Sequence, residues 1–271
     1  MIEMNWQSLI KSEKLNIKYL DANLREAEIT VEPLERGFGM TLGNALRRVL
    51  LSSLQGSAIT SVKIDGVLHE FSAIPGVLED VTDIVLNLKT VGVKLHSELP
   101  KKVRISAVGP KVVKAKDIQS TADVDILDPE TVICTLEDGV QLNMELIIQN
   151  GKSYVLASQH VYEDKPIGVI PIDSIFSPVK QVVYKVEQTR VGQRTDYDKL
   201  TIRIKTDGSL KPDDAVAYAA RILQDQLQSF VNFDEAILAA QRDLKGDLPF
   251  NRNMLRKVDE LELSVRSANC L

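Results

Sequence analysis

Two hydrophobic periods divide this chain. From Leu15 to Leu34 apolar and polar residues alternate around a turn at Asp21-Ala22-Asn23. Ala27, Ile29 and Val31 fall on one face and Glu28, Thr30 and Glu32 on the other, the period of a half-buried strand. A glycine-rich turn follows at Arg36-Gly37-Phe38-Gly39, and the spacing then becomes helical from Thr41 to Leu54. Leu42, Ala45, Leu46, Val49 and Leu50 make one apolar stripe, with Arg47 and Arg48 off it. Between Gly56 and about Lys180, short strand-like runs are separated by turn signals at Asp65-Gly66, Gly109-Pro110, Asp138-Gly139 and Asn150-Gly151. The last two are strong hairpin dipeptides. One helix is expected among these strands, near Val77 to Thr90, with Val77, Val81, Ile84, Val85 and Leu88 on one side.

Alternation returns at Val182 to Val186 and at Leu200, Ile202 and Ile204. A second long helix is expected from Pro212, because proline suits a first turn and Asp213 and Asp214 suit the positive end of a helix dipole. Its stripe is Val216, Ala219, Ala220, Leu223, Leu227, Phe230 and Val231. A strand pair and a helix therefore open the chain, a strand pair and a helix close its folded part, and a β-rich segment lies between. The simplest architecture is α+β. Residues 1–55 and 181–234 would share one helix-plus-antiparallel-sheet core, interrupted by a mostly β insert at 56–180. The polar, Gly- and Pro-containing stretch from Asp243 to Pro249 reads as a linker, placed at 235–252.

Composition narrows the function classes. Hydrophobic residues are 44% and charged residues 26%, which allows a sizeable core and excludes a disordered chain. The net charge of −5 argues against a general nucleic-acid coat, so any contact with DNA would need a local patch. Two widely separated cysteines, Cys134 and Cys270, suggest a reducing compartment. The N-terminus lacks the pattern of a signal peptide and no apolar run approaches the ~18 residues that span a bilayer, so the expected location is cytoplasmic.

Candidate chemistry is sparse. The turn Gly37-Phe38-Gly39-Met40-Thr41-Leu42-Gly43 follows a strand and opens a helix, as in a dinucleotide fingerprint, but its third glycine is one residue late. Close helix–sheet packing is the plainer explanation. His69, His96 and His160 are scattered, with no cysteine at metal-ligand spacing. No serine-hydrolase elbow is present, and no catalytic residue, metal site or cofactor is expected. Arg47 and Arg48 can be a solvated helix face or, being planar multi-donor groups, can dock a partner's carboxylates or carbonyls.

Three blocks carry a family resemblance. The string from Glu32 to Ser53, EPLERGFGMTLGNALRRVLLSS, resembles the signature helix region of bacterial DNA-directed RNA polymerase α subunits. Asp65-Gly66-Val67-Leu68-His69-Glu70-Phe71 and Leu86-Asn87-Leu88-Lys89 are similar to the next block, and Val186 to Val191 with Gln193 to Leu200 to a third. The similarity runs from about residue 15 to 234. It implies a non-catalytic subunit of a nucleotidyltransferase complex, one that forms a homodimer and gathers the β and β′ subunits for transcription. The helices at 41–54 and 212–232 would pack on their copies in the second α subunit, through Leu42, Leu46, Val49, Leu50, Leu223, Leu227, Phe230 and Val231. Arg48, with Arg47 beside it, would engage β, and Lys89 would be a further assembly residue. Ser177-Pro178-Val179 and Arg190 to Lys199 resemble the surface used for β′.

Residues 253–271 resemble the opening of the family's C-terminal DNA- and activator-binding domain, with Arg266 and Asn269 at DNA-contacting positions. The sequence stops before the supporting helices of that domain, so upstream promoter DNA is expected as a partner only of a complete one. The alternative function is a free-standing transcription regulator or nucleotide-binding protein that uses the turn at 37–43.

Overall fold

The computed structural model describes residues 9–10, 12, 15–119, 121–160, 167–192 and 194–231. Described residues through Gln224 belong to one compact unit, and residues 225–231 to a second. The expected linker and the stretch carrying Arg266 and Asn269 lie outside the described residues. The fold is α+β, with all strand pairings among the described residues antiparallel.

The chain opens with β1 (Leu15–Tyr19), β2 (Glu26–Leu34), α1 (Phe38–Ser52) and β3 (Gln55–Ile64). Helix α2 (Val81–Thr90) leads to β4 (Val93–Leu95), β5 (Lys101–Val108), β6 (Lys111–Lys114), β7 (Ile118–Gln119), β8 (Val124–Ile126) and β9 (Val132–Leu136). Then come β10 (Gln141–Lys152), β11 (Tyr154–Val155), β12 (Val169–Pro171), β13 (Ser174–Ile175), β14 (Val179–Val191), β15 (Arg194–Thr206) and α3 (Pro212–Gln228). No helix among the described residues is long and apolar enough to cross a membrane.

The first and last strand pairs form one four-stranded sheet in the order β1-β2-β15-β14. The alternation in the sequence sets its register. Ala27 pairs with Ile204, Ile29 with Ile202 and Val31 with Leu200, so the apolar halves of β2 and β15 share a face. Helices α1 and α3 pack on that face, and their core contains Leu50, Leu54, Ala215, Val216 and Ala219. The interaction of Tyr19 of β1 with the Asp213 carboxylate, in the first turn of α3, holds the phenol above its ordinary value of 10.

A second hydrophobic cluster lies between β3 and Ile172. Its seven-stranded sheet runs β7-β5-β10-β3-β4-β8, with β12 also paired to β3. Helix α2 contributes Val81, Ile84 and Leu88 to this core, and Val77 and Val85 pack against it. Asp80 caps the helix by accepting the Asp83 N–H at 2.7 Å, and Lys89 sits in the last turn, where the dipole favours a cation. The helix begins at Val81 rather than Val77, because Val77 is held in an isolated bridge to Leu136.

Both expected hairpin dipeptides do something else. Asp138-Gly139 turns the chain, with Gly139 at φ +76°, but joins strands of different sheets: β9 pairs with β6, and β10 with β5 and β3. Ile133, Cys134 and Leu136 of β9 are drawn instead into the core that α2 shares. Asn150-Gly151 lies inside β10, opposite Ser57 and Gly56. A Cβ on Gly151 would stand 2.7 Å from the Phe176 ring, and one on Gly56 would overlap the Phe176 carbonyl. These glycines admit Phe176 rather than a turn.

Candidate functional site

The glycine turn builds the first part of the site. Gly37 adopts φ +89°, and α1 starts directly after it, three residues before the helical spacing in the sequence begins. Gly39 and Gly43 lie one turn apart and face the sheet. A Cβ on Gly39 would sit 2.7 Å from Val186 Cγ1, and one on Gly43 2.7 Å from Tyr184 Cδ2. The helix therefore rests almost backbone-to-side-chain on β14 and β15.

Asp198 completes the turn. It projects from β15 into the interior, 8% exposed, and its Oδ2 accepts the Gly37 N–H at 2.8 Å and the Gly39 N–H at 3.0 Å. A carboxylate at the positive end of a helix dipole is favourable, and here it occupies the donors that a phosphate would need. The turn thus carries its own anion, which removes the chemical basis for nucleotide binding at 37–43. Asp198 falls in the Arg190 to Lys199 stretch that the resemblance places at the β′ surface, but the resemblance gives it no part in the turn. Its signal is its place two residues before Leu200, on the inward face of a strand where an acid needs a specific partner.

Close packing through glycine splits the apolar residues of α1 into two stripes. Gly39, Gly43 and Leu50 are buried against the chain's own sheet, with Leu46 and Val49 partly buried beside them. Leu50 is fully buried, so it has no surface to offer a second chain, contrary to the expectation for it. Phe38, Met40 and Leu42 are exposed. Helix α3 changes along its length. Ala215, Val216 and Ala219 are buried, and Ile222 packs beside them, whereas Leu223 is half-buried and Ala220 is exposed. Leu227 is 59% exposed, and the helix ends at Gln228 rather than continuing to 232, so Phe230, 83% exposed, and half-buried Val231 lie beyond it.

The two arginines diverge. Arg47 bends onto the sheet, its Nε donating to the Val182 carbonyl at 3.3 Å. Arg48 is exposed, and its guanidinium forms no ion pair or hydrogen bond among the described residues. Arg48 is therefore the one of the pair with donors to offer.

Lys89 is engaged within the chain. Its Nζ lies 2.9 Å from Asp173 Oδ2, and Asp173 Oδ1 accepts the Ala157 N–H at 2.8 Å. The hydrogen bond from Lys89 and then that from Ala157 hold the Asp173 carboxyl below its ordinary value of 3.8. Because the folded value is the lower one, the stabilisation is present above pH 3.8 and is lost as pH falls through the folded value. Asp173→Asn should therefore lower the melting temperature at pH 7 by a few degrees while flattening its dependence on pH below about 4. Thermal melts from pH 2.5 to 7 check this, and parallel curves for the two proteins would count against it.

The remaining candidates have ordinary partners. His69 meets Ser72, His96 meets Asp125, and His160 lies 3.1 Å from the Ile172 carbonyl. No group of His, Cys, Asp and Glu among the described residues could hold a metal ion. Cys134 is buried in the core, and burial, then the charge of Glu79, push its thiol up to about 12, so it is not a nucleophile.

With this geometry in hand, the comparison with known families adds a specific result. Residues 62–177 match the family model of the RNA polymerase Rpb3/RpoA insert domain. The match covers less than half of the chain and supports an RNA polymerase subunit of the α/Rpb3 type.

Proposed function

We propose that this chain is the α subunit of a bacterial DNA-directed RNA polymerase, a non-catalytic part of a cytoplasmic nucleotidyltransferase complex. It dimerises through α1 and α3 and gathers the β and β′ subunits. The insert-domain match at 62–177 carries the reading. Two features of the flanking sheet support the scaffold role. One is the set of large apolar side chains on α1, on α3 and just after it that the chain leaves exposed, namely Phe38, Leu42, Leu227 and Phe230. A symmetric dimer would bury them. The other is Arg48, displayed on a helix whose opposite face is pinned to the sheet. The bacterial assignment rests on the resemblance of the string Glu32 to Ser53 and of the blocks that follow it.

Folding and assembly separate at Arg48. Arg48→Ala removes several exposed donors and touches no core contact, so the melting temperature and the dimer should be unchanged. A hot-spot arginine contributes about 2 kcal/mol or more to an interface, roughly a thirtyfold loss in affinity. The variant should dimerise but release β when immobilised at limiting concentration. Capture of β equal to wild type would remove Arg48 from the interface.

A further inference from the structure

The chain passes between its two hydrophobic cores twice. On the way out, Leu54 belongs to the core under α1 and α3 and Ile59 to the insert core. On the return, Ile172 belongs to the insert core and Val179 to the first. The two passes lie against each other, since a Cβ on Gly56 would overlap the Phe176 carbonyl and stand 3.3 Å from Pro178 Cδ. Two bodies joined at one place can turn about it unless something else holds them. Packing does not hold them here, because a cleft opens on each side of the passes. One, of about 520 Å³, is lined by Leu210 and Ile222 from the first core and by Leu95 and Asn150 from the insert. The other, of about 390 Å³, is lined by Val179 and Asp207 and by Leu88 and Gly92. An angle fixed by packing needs a filled interior between the bodies.

An ion pair bridges them instead. Arg25, at the end of the β1–β2 turn, lies with Nη1 2.6 Å from Asp128 Oδ1, and its Nη2 donates to the Leu127 carbonyl at 2.9 Å. Both ends of this contact are anchored. The Arg25 carbonyl accepts the Thr206 N–H at 2.8 Å, which ties it to β15. Gly208, at φ +99°, seats the guanidinium, for a Cβ there would stand 2.7 Å from Arg25 Nε. On the insert side the Leu127 N–H donates to the Gly92 carbonyl at 2.9 Å. Leu127 follows β8, which pairs with β4 as β4 pairs with β3. Two strand spacings place the contact roughly 10 Å from β3 and the passes. A contact at that distance from a pivot resists turning, which a contact at the pivot cannot do. A planar guanidinium that holds a carboxylate and a carbonyl together also fixes direction as well as distance. The pair Lys101–Asp123, by comparison, joins two residues of the insert itself.

We propose that Arg25 is a positioning residue whose clamp on Leu127 and Asp128 sets the angle between the sheet-and-helix core and the insert. Its release lets the insert swing about the passes while both cores stay folded. In the scaffold role proposed above, this angle governs how Arg48 and the insert surface are presented together to a large partner. That consequence rests on the scaffold reading; the clamp itself does not.

Spin labels at Lys185→Cys on β14 and Leu99→Cys in the insert test it by double electron–electron resonance. The background is the full chain with Cys270→Ser, and Cys134 is buried and stays unlabelled. Labelled chain is diluted in excess unlabelled chain, so each distance is read within one copy. Wild type should give one narrow distance distribution. Arg25→Ala and Asp128→Asn should each make it about twofold wider or more, with the melting temperature within a few degrees of wild type, because neither core loses a side chain. Lys101→Ala should leave the width unchanged. Distributions for Arg25→Ala and Asp128→Asn that superimpose on wild type would overturn the proposal. So would equal broadening by Lys101→Ala, or broadening that comes only with a large fall in melting temperature, since either reports general loosening. Should Arg25→Ala fail to fold, Asp128→Asn alone decides between these results. Capture of β is measured separately, so failure here leaves the scaffold reading standing.

Discussion

Phe230→Asp should convert the protein from dimer to monomer without unfolding it. The side chain is 83% exposed, so it contributes almost nothing to the chain's own core. In a symmetric dimer, each copy would bring one aspartate into an apolar seam. Burying an unpaired charge there costs about 4 kcal/mol or more, a thousandfold or greater loss in dimer affinity. Leu227→Asp, in the last turn of α3 just before Phe230 and likewise exposed, should behave alike. At micromolar concentration, light scattering should give the mass of one chain, and circular dichroism should match wild type. A dimer that survives both changes would mean that the exposed apolar stripe is not the interface.

The second large effect is expected at Asp198. Replacing it by alanine leaves the buried Gly39 N–H without an acceptor and removes the negative charge from the start of α1. Loss of a charged, buried hydrogen-bonding group of this kind costs about 3 kcal/mol, and for a domain of this size that lowers the melting temperature by roughly 6–12 °C. Asp198→Asn keeps an acceptor but loses the charge, so it should cost only about 1 kcal/mol. The alanine variant should also capture β poorly, because Arg48 sits on the helix that Asp198 anchors. Calorimetry of the two variants gives the ordering directly. An alanine variant that melts within a degree of wild type would show that α1 is held by its glycine contacts alone.

Much of the fold is legible in the sequence where one face of an element is buried and the other is wet. The strands bearing Ala27, Ile29, Leu200, Ile202 and Ile204 are of this kind, because a period of two leaves a single register that hides them. The start of α3 at Pro212 is legible for the same local reasons, proline in the first turn and acids behind it.

Helix α1 is harder to read. Gly39 and Gly43 carry no weight in a hydrophobic count, yet they share its contact face with Leu50, while Leu42 from the apparent stripe is exposed. Asn150-Gly151 misleads because a glycine that admits a ring looks, in sequence, like a glycine that makes a turn. Asp198 and the partner of Lys89 were hidden by distance. The hydrogen bonds to Asp198 from Gly37 and Gly39 cross about 160 residues, and the Lys89–Asp173 pair crosses 84. Arg48, in contrast, stands where the helical period places it, off the stripe and exposed.

The scaffold role is tested most directly by the composition of the complex that the chain builds. The purified chain, mixed with separately prepared β and β′ subunits and run under native mass spectrometry, should give a species containing two copies of this chain and one of each large subunit. The same mixture made with Phe230→Asp should give none. If the wild-type chain stays apart from both large subunits, or enters the complex as a single copy, the account of a dimeric assembly scaffold is wrong.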